Sequence, residues 1–333
     1  MTVNCVPTRP RRQATFIIFA ILLLASCSGQ QSEGSQATLV AAADARITAE
    51  SNGFTAGNAT VASSLSTGEL AMADQTAARG IAGQIANGDT TNYGLDILHV
   101  DAYPLDGGTT DFIAYETVRS HADGSVSRAV ELYHRDTAAS PWKATTEAWF
   151  NDNIDLPQLA LGRTGGHLLT AAQMQSDQAE PSLLAARYAS AMDDGTTTGQ
   201  LDAGSFAPSE ATTGVINSDE SHVSAYANIG TASVQWTTEP GGEAVALTDG
   251  ELVFATVEKT ESYQGKVQGN LRYFVNQDPK RLNYGGLLAP GNYTAISQSY
   301  LVTIAVVVTG QGAPDVVAMN STLTSITGTP TGI

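Results

Sequence analysis

The sequence predicts an α+β protein of two tandem modules, each a helical layer on a curved antiparallel sheet, behind a cleaved lipoprotein signal and a flexible tether. Three observations carry that expectation. Apolar residues at helical spacing before residue 87 give way, from Leu95, to short alternating runs typical of strands. The same order, helices and then strands, recurs after Pro181. Ahead of both lies a basic, then apolar, then small-residue segment ending in a cysteine. The expected boundaries are 1–26 for the signal, 27–36 for the lipidated cysteine and tether, 37–150 for the first module, 151–180 for a linker and 181–327 for the second module.

Arg9, Arg11 and Arg12 precede an unbroken apolar run over 16–25, and Leu24-Ala25-Ser26-Cys27 then has the form of a lipobox. The run is half the ~20 residues a transmembrane helix needs, so the segment reads as a signal and not a span. The expectation is a diacylglyceryl group on Cys27, with membrane lipid as its partner. Two acyl chains hold a protein stably where one does not. That puts the protein on the outer face of the cytoplasmic membrane, on a Ser/Gln/Gly-rich tether after Cys27.

Only two cysteines are present, Cys5 and Cys27. The signal removes the first and lipid blocks the second, so neither disulfides nor thiolate metal sites are expected in the mature chain. Its core must be an ordinary apolar one, for which a hydrophobic content of 42% suffices. The net charge of −17 becomes −20 once the three signal arginines are lost. Such a surface repels nucleic acid and anionic headgroups, so no nucleic-acid partner is expected.

Residues 37–52 are Ala-rich and read as a first helix; Leu70, Ala73, Ala77, Ile81 and Ile85 then form one face of a second, between Thr67 as cap and Asn87-Gly88 as stop. Strands are expected over 95–103, 111–121, 126–135 and 142–150. Residues 151–180 follow no sustained period, and Asp152 and Asp155 read there as solvated turn residues. Pro181 opens a helix over 182–192, since Pro at the first helical position loses nothing by lacking an N–H. Another helix is expected from Pro208, then strands over 223–238, 243–247, 251–263, 300–309 and 316–326, with frayed residues after them. The run 301–308 is dense in β-branched residues and reads as buried on both faces.

The turn Ala122-Asp123-Gly124-Ser125 marks a hairpin. A two-residue loop would set Glu116 opposite Glu131 and Arg119 opposite Arg128, and like charges in that position repel. A three-residue loop with Gly124 left-handed slips the pairing by one. It gathers Phe112, Ala114, Val118, Val126, Val130 and Leu132 on one face, with Glu116 diagonal to Arg128. That register is the expectation, and it separates the one carboxylate pair suited to acid/base chemistry.

Other catalytic patterns are absent: no His-Glu-x-x-His, phosphate-binding loop, dinucleotide fingerprint or Gly-x-Ser-x-Gly. His134-Arg135-Asp136 mimics a kinase loop, but Pro141 stands where Asn is needed. His99, His121, His134, His167 and His222 have no ligand spacing, and Asp193-Asp194 lacks the pattern of a calcium loop. Trp142, Trp149 and Trp236 are expected in the core. No catalytic residue, cofactor or metal is therefore expected.

Short motifs spread over the mature chain carry a resemblance: Ser66-Thr67-Gly68-Glu69-Leu70, Ser140-Pro141-Trp142-Lys143, Leu183-Leu184-Ala185-Ala186-Arg187-Tyr188 and Gly250-Glu251-Leu252-Val253-Phe254. With the lipobox, they make the chain similar to actinobacterial secreted lipoproteins of an uncharacterised family. The stretch 98–106 is less aromatic than its counterpart there. The resemblance implies an envelope location and a two-part architecture, and brings no catalytic residues with it. The functional expectation is a non-enzymatic lipoprotein that binds a small molecule or an envelope protein. The alternatives are an acidic-residue hydrolase or carbohydrate-active enzyme, and a structural spacer.

Overall fold

The structure, a computed structural model, describes residues 35–150, 166–176, 179–202, 204–227, 230–266, 271–273, 287–289, 291–310 and 312–331. The expected signal, Cys27, most of the expected tether and the expected turn residues Asp152 and Asp155 lie outside them. No helix among the described residues is long and apolar enough to cross a membrane.

Three helices come first: α1 (Gln36–Ala56), α2 (Ala59–Ala62) and α3 (Gly68–Ala86). Four strands follow, β1 (Leu95–Leu105), β2 (Asp111–Ser120), β3 (Val126–His134) and β4 (Lys143–Phe150). Then come α4 (Ala171–Ser176), α5 (Pro181–Thr198) and a π-turn at Glu210–Gly214 that runs into α6 (Val215–Tyr226). The chain ends in β5 (Gly230–Leu247), β6 (Gly250–Gly265), β7 (Leu271–Tyr273), β8 (Gly291–Val308) and β9 (Asp315–Pro330). Helices do precede strands twice, and the β-branched run at 301–308 is indeed buried on both faces, with Ile304, Ala305 and Val306 fully enclosed.

The two expected modules do not exist. All strands join one antiparallel sheet in the order β1-β2-β3-β4-β9-β8-β6-β5, with β7 attached to β8, and the described body is one compact unit. The seam is the pairing of Trp149 with Met319 and of Phe150 with Ala318. It satisfies two edges that separate modules would have left open. The sheet also curls until its ends meet across a short segment. Leu105 bridges to Gly166 and Leu168 to Val245, and the Ala246 N–H donates to the His167 carbonyl at 2.9 Å. Part of the expected linker is thus a structural stitch between first and last strands.

The curled sheet encloses Leu105, Ile113, Val130, Leu132, Phe150, Leu252, Phe254, Ala305 and Ala318, drawn from both halves of the chain. Outside it, α1 and α3 cover Phe112, Ala114, Tyr133 and Trp142, while α5 and α6 cover Val253, Ala255, Val302, Ile304 and Val306. Gly53 lets α2 lie directly on α1, because a Cβ there would come within 2.3 Å of the Ala62 backbone.

The β2–β3 register departs from the expected one. Glu116 stands opposite Ala129 and Ala114 opposite Glu131, a further residue along, although Gly124 is left-handed as expected (φ 74°). The turn closes through Ser120 and Ser125, whose backbones hydrogen-bond at 2.9 Å. This shift splits the expected apolar set. Phe112, Ala114 and Val118 face the helices, whereas Val130 and Leu132 face the enclosed core with Ile113. Residues 223–226 are the end of α6 and not a strand, β5 is one bulged strand instead of two, and β9 continues through the expected frayed end to Pro330.

Candidate functional site

The α1 stripe that meets the sheet runs through Leu39, Ala43, Arg46, Ile47, Glu50 and Gly53. Arg46 and Glu50 therefore enter the interior with the apolar residues. Glu116, Glu131 and Glu147 arrive on the same sheet face from three neighbouring strands, Glu131 directly opposite Glu147. Asp74 descends from α3. All six are buried.

One guanidinium holds this assembly. Arg46 Nη1 pairs with Glu50, with Glu131 Oε1 at 3.0 Å and with Glu147 Oε1 at 3.4 Å, and Nη2 reaches Asp74 Oδ1 at 3.4 Å. Ser66 donates to Asp74 Oδ2 at 2.5 Å, and the Asn320 amide donates to Glu147 Oε2 at 3.0 Å. The Tyr133 hydroxyl lies between Glu131 and Glu116, 2.9 Å from the latter. A hydroxyl has one proton to give, so one of those two carboxyls must bring its own.

Five carboxyls cannot all ionise around one cation in a dry interior. Burial pushes the Glu50 carboxyl up to about 8 against the pull of Arg46. It likewise raises Asp74, and holds Glu116 and Glu147 well above the usual range, Glu116 with the further repulsion of Glu131. The adjoining space, lined by Glu69, Thr146, Glu147, Thr256 and Asn320, is about 20 Å³. That admits about one water. That space is too small for a sugar or peptide, although Glu116 and Glu131, which the expected register separated, do share a face.

A second ionic cluster lies under α6. Asp219 and His222 sit one helical turn apart, and Lys259 and Glu261 are alternate residues of β6. Lys259 Nζ is 2.5 Å from Asp219 Oδ1 and 2.8 Å from Glu261 Oε1, and lies over the Trp236 ring at 5.4 Å. Asp219 is fully buried, and burial raises its carboxyl although Lys259 opposes this. Asp219 and His222 both fall within the helix expected from Pro208, but Glu261 comes from a distant strand, so no sequence spacing displays this cluster.

Another concavity is an open groove on the sheet. Where α5 and α6 leave the sheet's other face uncovered, ladder positions form two cross-strand rows: Ser233, Ser262, Ser297 and Thr327, then Thr231, Gln264, Ala295 and Thr329. They line a groove of about 310 Å³ in which, among the described residues, no lining side chain is charged.

Trp142 and Trp236 are core residues, as expected: Trp142 packs edge-on against Phe112, with the Arg135 guanidinium 4.2 Å from its ring. His99, His121 and His134 each pair with a nearby aspartate at the surface, while Asp193 accepts from the Trp236 backbone N–H at 2.9 Å.

A family described as a domain of unknown function (DUF8094) has a model that matches residues 55–328. No curated protein and no solved structure matches the chain.

Proposed function

The chain thus belongs to the domain-of-unknown-function family DUF8094, and from that premise we propose that it is a lipid-anchored envelope protein that binds a neutral, hydroxyl-rich ligand such as a glycan segment. The groove over β5, β6, β8 and β9 carries this reading. In a chain of net charge −17, it is a concave surface lined by hydroxyls, an amide and the apolar Ala295 and Ile296, with no charged side chain among the described residues that line it. Hydroxyl and amide groups both donate and accept, which suits polyols and selects against ions, whose charge would find no partner there. Its size falls at the low end of small-ligand sites. The anchor is the diacylglyceryl group expected on Cys27.

Two measurements test the two halves of the proposal. Mass spectrometry of the membrane-extracted protein is expected to find two acyl chains on Cys27 and a processed N-terminus, with Cys27→Ser released from the membrane. Titration with soluble neutral glycan fragments, followed by calorimetry, is expected to give saturable binding that Ser262→Arg and Ser297→Arg abolish while the circular dichroism spectrum is unchanged. Binding that survives both substitutions, or no binding across neutral fragments, ends the groove reading.

A further inference from the structure

Beyond the groove, we propose that Asp219, His222 and Glu261 form a site for a divalent transition metal of the zinc class, in which the metal takes the place of the Lys259 ammonium. One ligand atom from each of the three lies within 4.8 Å of the others. Two elements supply them, Asp219 and His222 from consecutive turns of α6 and Glu261 from β6. Modest side-chain movement brings such atoms onto one ion with metal–ligand bonds of about 2.0–2.2 Å.

A cation already occupies the point where the carboxylates converge, so the site is electrostatically built for positive charge. Lys259 does not use all of what is offered. Asp219 Oδ2 is buried without a hydrogen-bond partner. The Trp236 indole N–H stands near enough to favour the ionised carboxyl, but it too lacks a partner at hydrogen-bond geometry. An unsatisfied carboxylate oxygen away from water costs about 1–3 kcal/mol or more, and a metal would use it. Glu261 is already oriented, since the Tyr263 hydroxyl donates to its Oε2 at 2.7 Å and leaves Oε1 toward the cation.

Entry and exchange are also provided for. His222 is exposed at the rim. Lys259 rides a flexible four-carbon stem, and its ammonium, which lies 5.4 and 5.8 Å from the Trp236 and Tyr300 rings while it pairs with the carboxylates, can swing aside on that stem. Two carboxylates and an imidazole suit zinc and its first-row neighbours, whereas calcium and magnesium prefer all-oxygen sites. Three protein ligands leave a fourth position for water. Bound metal would pin α6 to β6.

The test uses the full chain, purified from membranes in detergent, stripped with chelator and titrated with zinc chloride by calorimetry. One site is expected to be tighter than any other, with thermal unfolding raised by zinc and left alone by calcium. His222→Ala, a surface change that keeps the fold, is expected to weaken that site at least about tenfold. Lys259→Gln removes the competing charge and is expected to bind zinc more tightly than the unsubstituted chain. The surface pairs of His99, His121 and His134 with aspartates can hold zinc weakly, so weak residual binding in His222→Ala agrees with the proposal. A tightest site that His222→Ala leaves unchanged, or no zinc effect on either protein, overturns it. Neither result bears on glycan binding in the groove.

Discussion

Arg46 and Lys259 each hold buried carboxyls, but in opposite balance. Arg46 pairs with four from two helices and two strands, with Glu116 joined through the Tyr133 hydroxyl, beside a space of about 20 Å³. Lys259 serves two, and an exposed histidine stands at the rim. The first cluster has surplus acid and no exit, so it settles its charge by holding protons. The second has a single mobile cation and an opening, so it can settle its charge by exchange. Identical chemistry yields a structural knot in one place and a ligand site in the other, and access decides which.

The sharpest way to break this comparison is Arg46→Met. Removing the partner of a buried charge network costs about 3–5 kcal/mol, and urea unfolding should register a loss of that order. A loss below about 1 kcal/mol would mean that the carboxyls are already neutral as a group and Arg46 is incidental.

Next in size is the effect of pH. An unfolded glutamate titrates near 4.5, while folded Glu50 holds its proton to about 8, and Glu116 and Glu147 shift the same way. Between those limits these carboxyls bind more protons in the folded state, so the stability they contribute is greatest below about 4.5 and falls as pH rises toward about 8. Each proton so held contributes a slope of up to about 1.4 kcal/mol per pH unit. Unfolding measured from pH 5 to pH 8 should show that fall, and Glu50→Gln should flatten it. A rise across the interval would contradict proton storage in the cluster.

Lys259→Gln without metal should cost less than Arg46→Met, about 1–3 kcal/mol, because only two carboxylates lose a partner and water is near. An equal loss in both variants would erase the contrast between knot and exchangeable site. Smallest of all, His222→Ala without zinc should stay within about 0.5 kcal/mol; a larger loss in thermal unfolding would give His222 a packing role and weaken its reading as a ligand in waiting.

Much of the Arg46 cluster was visible as charge in the wrong phase. Arg46 and Glu50 fall on the same stripe as Leu39, Ala43 and Ile47, and Glu116 falls between Ala114 and Val118 on the inward positions of β2. A charge on the apolar phase of an element signals a buried network. Avoidance of like-charge neighbours, which predicts the other hairpin register, is a rule suited to exposed strands. The structure instead tolerates Glu131 opposite Glu147, because Arg46 from a distant helix lies between them and protonation removes the remaining repulsion.

Local chemistry written in the sequence determined the helices 36–56 and 68–86, the first four strands, the left-handed Gly124 and the twice-repeated order of helix and strand. Apolar period and turn residues are short-range properties, and a single chain displays them. Only the tertiary structure decided that β4 would pair with β9, that 166–168 would stitch β1 to β5, and that His222 would meet Glu261. Those contacts join residues far apart in the chain. Their free energy comes from edges satisfied and charges neutralised at a distance, which no local pattern encodes.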